Sequence, residues 1–199
     1  MAGEIGIEAA AIEPRGRAMR IMSGVLQIVL FVVVVGVALI VAGIIANRLP
    51  LLEPPGLMTR LSVYLNTNVA ETTADSAFPE LQPRRSAAPP ELLFDIARRA
   101  AQGLGWEVTV VDAEKKEIQA VVTTKIWKFK DDVTITIKPA QPTGSELWVR
   151  SASRVGRGDL GANTRHVLDL EMAVNVTAPE SARLVTPQEI ERSQGIRTE

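Results

Sequence analysis

The longest uninterrupted apolar run, "VLQIVLFVVVVGVALIVAGIIA" over residues 25–46, carries no charge and one amide, Gln27. As a helix it spans about 33 Å, enough for a hydrocarbon core of about 30 Å, and it is too long for a strand. A cleaved signal peptide has an apolar region of about 7–15 residues. This one is longer and follows a 24-residue stretch. The pattern predicts a leader at 1–24 on the cytoplasmic side and a single uncleaved transmembrane helix at 25–46.

Arg15, Arg17 and Arg20 precede the span, whereas Arg48 and Arg60 follow it. That excess places the N-terminus inside and the rest of the chain outside the cytoplasm. Small residues at Gly36, Ala38, Ala42, Gly43 and Ala46 would let a second helix approach closely.

Residues 47–89 lack a sustained period. "NRLPLLEPPG" and "FPELQPRRSAAPP" are proline-rich, so the expectation is a linker and docking segment, with "LMTRLSVYL" at 57–65 as an interfacial turn of helix.

From Pro90 the pattern becomes regular. "PELLFDIARRAAQGLG" places Leu93, Ala97 and Ala100 on one helical stripe with Leu92 and Ile96 beside it, between a starting proline and closing glycines. Period-two segments follow. Trp106, Val108 and Val110 alternate with Glu107 and Thr109; "IQAVVTT" returns after the turn "DAEKKE"; "KIWKFK" reads as a third short strand. "DDVTITIK" alternates Val133, Ile135 and Ile137 with polar residues, and "ELWVRSAS" follows "PAQPTGS". Strands joined by short turns predict an α+β fold over 90–177: an antiparallel β-meander of four to five strands, helices on one face, a single transmembrane helix ahead of it.

Two later segments complete the pattern. "TRHVLDLEMAVNV" is ambiguous: Leu168, Leu170, Met172, Val174 and Val176 alternate as in a strand, while Val167, Leu170 and Val174 form a helical stripe. Periodicity favours strand narrowly; Asp159 or Asn163 would cap the helix alternative. In the tail, 178–199, "TPQE" is a capping box, with Thr186 as cap and Glu189 reaching back, predicting a short helix near 187–194.

Composition removes several chemistries. The net charge is −1, so no strong field for nucleic acid exists. There is no cysteine and only one histidine, His166, which excludes disulfides, thiolate catalysis and multi-histidine metal sites. No cofactor motif is present.

The candidate chemistry lies in "VRSASRVGRGDLGANTRHV", residues 149–167, together with the aspartate pair that opens "DDVTITIK". Its members are Asp131, Asp132, Arg150, Ser151, Ser153, Arg154, Asp159, Asn163 and Arg165. If the two strands are neighbours, Asp132 and Arg154 form a buried or half-buried ion pair that fixes the long turn, while serines and Asn163 satisfy backbone groups. The other reading is an anion or head-group site, since arginine forks and glycine backbones suit phosphate or carboxylate. His166 with Ser151 or Ser153 and Asp159 supplies hydrolase residue types, but no G-x-S-x-G elbow surrounds either serine. Adjacent carboxylates on a strand point to opposite faces, which argues against a cation held by Asp131 and Asp132.

"FKDDVTITI" followed by "VRSASRVGRGDLGANTRHV" resembles the bacterial and plastid family named domain of unknown function 1499, over roughly residues 68–176. The resemblance implies a helix after Asn163, which moves the expectation for 162–174 from strand to helix. It supplies a fold and no chemistry. The chain departs from the family pattern at Thr164 and His166, where basic residues are more usual.

Two functional classes remain. One is a single-pass membrane protein of the bacterial inner membrane with a periplasmic domain, an accessory subunit or envelope module whose partners are the lipid bilayer and a membrane protein met through span and linker. The other is a binder of a small anionic ligand or lipid head group, with hydrolysis as its remotest form.

Overall fold

The computed structural model describes residues 13–124 and 128–193. The chain divides into two units, Met1–Ala46 and Asn47–Glu199. The first contains helix α1, Glu13–Ala46. Its portion Ala18–Ala46 is long and apolar enough to cross a membrane by length and composition, with a mean hydropathy of 3.4 over its most apolar 18 residues. Met19, Ile21 and Met22 extend the apolar surface seven residues ahead of the expected start. A helix apolar all round, with its large side chains exposed on every side, is the kind that lipid solvates.

The second unit is an open antiparallel sheet with helices on one face. In chain order it comprises α2 (Leu57–Asn66), β1 (Val69–Glu71), β2 (Arg84–Ser86), α3 (Pro90–Gly103) and β3 (Glu107–Asp112). There follow β4 (Glu117–Thr123), β5 (Lys130–Pro139), β6 (Ser145–Ser153), α4 (Ala162–Thr177) and α5 (Pro187–Ser193). Strands β3 to β6 form the expected meander. Beyond β6, β1 and β2 share its outer edge, β1 against residues 150–152 and β2 against residues 145–147.

Residues 47–89, expected as a linker and docking segment, fold along their length into this unit. The reason is a side chain whose role has no periodic signature. Arg60 is fully buried; both its terminal nitrogens meet Glu80, and it donates to Tyr64 Oη at 2.9 Å and to the carbonyls of Glu53 and Pro54. The Phe78 ring lies 5.0 Å from its guanidinium carbon. One guanidinium thus ties three successive pieces of proline-rich chain together.

The core is where the alternation predicted it. Val133, Ile135 and Ile137 of β5 and Leu147 and Val149 of β6 meet Leu93, Ile96, Ala97 and Ala100 of α3 and Val167, Leu170 and Val174 of α4. Leu92, expected beside the α3 stripe, is instead exposed. Segment 162–177 is helix, and the helical stripe is the buried one, while Met172 and Val176 face outward. Strand β3 departs from strict alternation because its register slips between Val108 and Val110, a bulge that leaves Val110 and Val111 exposed. Of the short strand expected in "KIWKFK", residues 125–127 lie outside the described residues, Lys128 and Phe129 are loop, and Lys130 opens β5.

Candidate functional site

The polar cluster forms because two apolar rows end in polar residues on the covered face. On β5 the buried row runs Ile137, Ile135, Val133 and then Asp131; on β6 it runs Leu147, Val149 and then Ser151. These ends are adjacent, since Val133 pairs with Ser151 and Asp131 with Ser153. The first turns of α4 close over them, bringing Asn163 and His166 down onto the sheet.

Asn163 is the hub. Fully buried, it accepts the Ser151 hydroxyl at 2.6 Å, and its amide nitrogen faces the Asn68 carbonyl, Ser153 Oγ and Asp159 Oδ2 at 2.7–2.9 Å. The N-cap of α4 is Gly161 and neither expected residue, but Asp159, two positions ahead of it, takes the backbone N–H groups of Gly161 and Asn163 at 2.8 and 2.9 Å and so anchors the start of the helix. Asn68 holds the glycine turn by donating to the carbonyls of Ser153 and Gly156. The turn is seated tightly: a Cβ on Gly158 would land on the Leu65 carbonyl.

His166 closes the chain of contacts. Its Nδ1 lies 3.1 Å from Ser151 Oγ and 3.8 Å from Asp131 Oδ2, and its ring meets the Trp106 ring edge-on at 6.0 Å. Burial lowers the affinity of His166 for a second proton, with Asp131, Asp169 and Asp159 pulling the other way. Because Ser151 gives its proton to Asn163, its oxygen accepts from the imidazole, so Nδ1 carries the hydrogen. Both Ser151 and Asp131 then face the same ring nitrogen. A hydrolytic triad needs the base nitrogen free toward the serine and the carboxylate on the other nitrogen. Here the serine proton points away from the histidine. Asp131 is 1% exposed, and its Oδ2 accepts no hydrogen bond among the described residues.

The arginines do not join this cluster. Arg150 projects from the open face toward Glu71 at 3.4 Å; Arg154 pairs with Asp132; Arg165 pairs with Asp169 one turn along α4. The two aspartates diverge as strand geometry requires, Asp131 inward and Asp132 outward. Of the nine candidate residues, the structure therefore unites Asp131, Ser151, Ser153, Asp159 and Asn163, and separates Asp132, Arg150, Arg154 and Arg165 from them. His166, Asn68 and Trp106 complete the group. Asn68 lies 95 residues from Asn163, and no local pattern links them. Among the described residues, no group of three or more His, Asp or Glu is arranged to hold a metal ion.

On the opposite, uncovered face, Trp148 and its neighbours line a shallow groove of about 190 Å³ with Thr134, Thr136, Lys138, Glu71 and Arg150. The Lys138 ammonium sits 3.7 Å from the Trp148 ring centroid.

An open six-stranded antiparallel sheet, covered on one side by α3 and α4, with an asparagine-centred polar corner and an apolar helix ahead of it, defines the class: an α+β domain behind a candidate membrane helix. The family described as "Protein of unknown function (DUF1499)" matches residues 61–174, more than half of the chain. The protein belongs to that family. No curated protein matches it.

Proposed function

We propose that this protein is a single-pass, membrane-anchored interaction module of the cell envelope, with its N-terminus in the cytoplasm and the sheet domain outside, acting as an accessory subunit of a membrane complex. The observation that carries the reading is the contrast between the two faces of the sheet. The covered polar corner is closed on itself. Its serine gives its proton to Asn163 and not to the histidine, and Arg150, Arg154 and Arg165 of the adjoining segment are each held by a carboxylate. The uncovered face offers Trp148, cations and hydroxyls to a partner. Aromatic and arginine side chains are the usual anchors of such surfaces.

The three arginines ahead of the span support this orientation. The reading is tested by purifying the full-length protein from its native membranes in mild detergent. The expected result is a stoichiometric membrane-protein partner that Trp148→Ala releases. A chain recovered alone, or a partner indifferent to the whole sheet face, overturns the reading.

A further inference from the structure

The surface that leads into the sheet domain is unusual in composition. Helix α2 exposes Leu57, Met58, Thr59, Ser62, Leu65 and Asn66, and none of these is charged. Its one charged residue, Arg60, is turned inward with Tyr64. A helix face solvated by water ordinarily carries charge. The turn before it adds Leu52, with one exposed charge, Glu53, beside it. At 87% and 79% exposed, Leu52 and Met58 are among the three most exposed large apolar side chains described.

These residues also lie close along the chain to the apolar helix. Asn47, which directly follows Ala46, donates to the Leu160 carbonyl at 2.9 Å, and Leu49 is buried. No free chain separates Ala46 from the first residue the domain holds. Six residues of fully extended chain reach at most about 20 Å, so Leu52 stays within that distance of Ala46. Turns closed by Leu51 N–H to Leu49 and Gly56 N–H to Glu53 shorten the path further.

We infer that the turn at 49–56 and helix α2 form a lipid-facing surface, with Leu52, Leu57, Met58 and Leu65 immersed at the bilayer interface. The inference rests on α1 spanning a membrane. It commits to lipid because the tether holds this face near the bilayer whatever other partner is present. An amphipathic helix that lies in the interface buries its apolar side chains at the head-group boundary, and here the membrane anchor beside it replaces the attraction that basic residues usually supply. The domain would then be seated on the membrane and not merely tethered to it, leaving the Trp148 face to other contacts.

The chain has no cysteine, so single labels are unambiguous. Full-length Leu52→Cys, Met58→Cys and, as a control in the β3–β4 turn, Glu114→Cys are spin-labelled and reconstituted into phosphatidylcholine–phosphatidylglycerol vesicles without any other protein. Collision rates with oxygen and with a water-soluble nickel chelate are then measured. The labels at 52 and 58 are expected to favour oxygen over nickel by at least fivefold relative to the label at 114. Labels at 52 and 58 that meet nickel as freely as the one at 114 overturn the inference. So do labels shielded from both reagents, which would indicate a second copy of the chain on this face. No partner is present in these vesicles, so the outcome is independent of the copurification test. A chain that a high-salt wash removes from membranes would instead remove the premise that α1 spans.

Discussion

Arg154 grips Asp132 through two nitrogens at 2.6–3.1 Å, yet the two side chains remain 47% and 51% exposed. The sequence led to a buried or half-buried pair that fixes the glycine turn. The pair forms, but on the uncovered face, where water and salt screen it. Arg154→Ala is therefore expected to leave the denaturation midpoint nearly unchanged. The buried counterpart is Arg60 with Glu80. Removing one partner of such a pair costs about 3–5 kcal/mol because the other charge is stranded. Chemical denaturation of the full-length protein in detergent, followed by tryptophan fluorescence, should show a large loss for Arg60→Ala and almost none for Arg154→Ala. Equal losses would refute this ranking.

Asn163→Ala should be as damaging as a large core truncation. It takes away the acceptor of the Ser151 hydroxyl and the amide that faces Ser153 Oγ and Asp159, while the Asn68 carbonyl keeps the Ser153 N–H, and each buried group left unsatisfied costs about 1–3 kcal/mol. For a domain of this size, about 1 kcal/mol moves Tm by roughly 2–4 °C. A drop of about 5–12 °C is expected in a thermal melt; a change within about 2 °C would mean that Asn163 is not the hub.

Stability should fall with rising pH through one buried carboxyl. Glu171 on α4 is pushed up to about 7 by burial, against the pull of Arg84 at 3.0 Å. A group raised in the folded state contributes stability that is complete below its unfolded value, near 4.5, and is lost as pH rises through about 7. The shift corresponds to about 3 kcal/mol. His166 acts in the opposite sense: its lowered folded value gives stability above about 6.5 that fades as pH falls. Denaturation midpoints between pH 4 and 8 should therefore slope less in Glu171→Gln than in the parent. Parallel curves would remove Glu171 as the source.

The tail helix depends on its cap. Thr186 N–H meets Glu189 Oε2 at 2.7 Å, and Glu189 N–H meets Thr186 Oγ at 3.1 Å. These bonds hold the Glu189 carboxyl below its ordinary range, so the cap is intact above about pH 4.5 and lost as pH falls below it. Hydrogen exchange should show protection near residues 189–192 at neutral pH that Thr186→Ala abolishes. Exchange already unprotected in the parent would show that the helix does not persist in solution.

Orientation and retention of the anchor can be read together. A reporter active only outside the cytoplasm, fused after Glu199, should be active in a chain that stays with membranes after a high-salt wash. A silent reporter on stable protein reverses the orientation; a soluble form starting near Asn47 makes α1 a cleaved signal.

Strand alternation was legible because Val133, Ile135 and Ile137 repeat at two with polar residues between them, and the sheet buries exactly one side. Helix α4 was not legible from periodicity. Leu170 and Val174 belong to both the strand and the helical pattern, and only the covered face of the sheet decides between them. Segment 47–89 was misleading for a different reason. Its order comes from Arg60, Glu80 and edge pairing with β6, interactions that span many residues and leave no period. The site residues were chosen by type, but which of them meet depended on strand parity. Asp131 and Ser151 face the helices, whereas Asp132 and Arg150 face solvent.

The placement of β1 and β2 on the outer edge of β6 has a consequence for synthesis. Ser86 pairs with Ser145, so β2 is complete 59 residues before its partner strand begins. At about 5–20 residues per second, that interval lasts roughly 3–12 s. Throughout it, the first two strands have no partner strand to pair with, although α3 can already meet β3–β5 as they appear. The meander β3–β5 assembles from neighbouring hairpins as it appears, whereas the N-terminal third must wait. A ribosome stalled between residues 90 and 144 would therefore display a protease-sensitive N-terminal third, and its resistance should arrive abruptly once Ser153 has emerged.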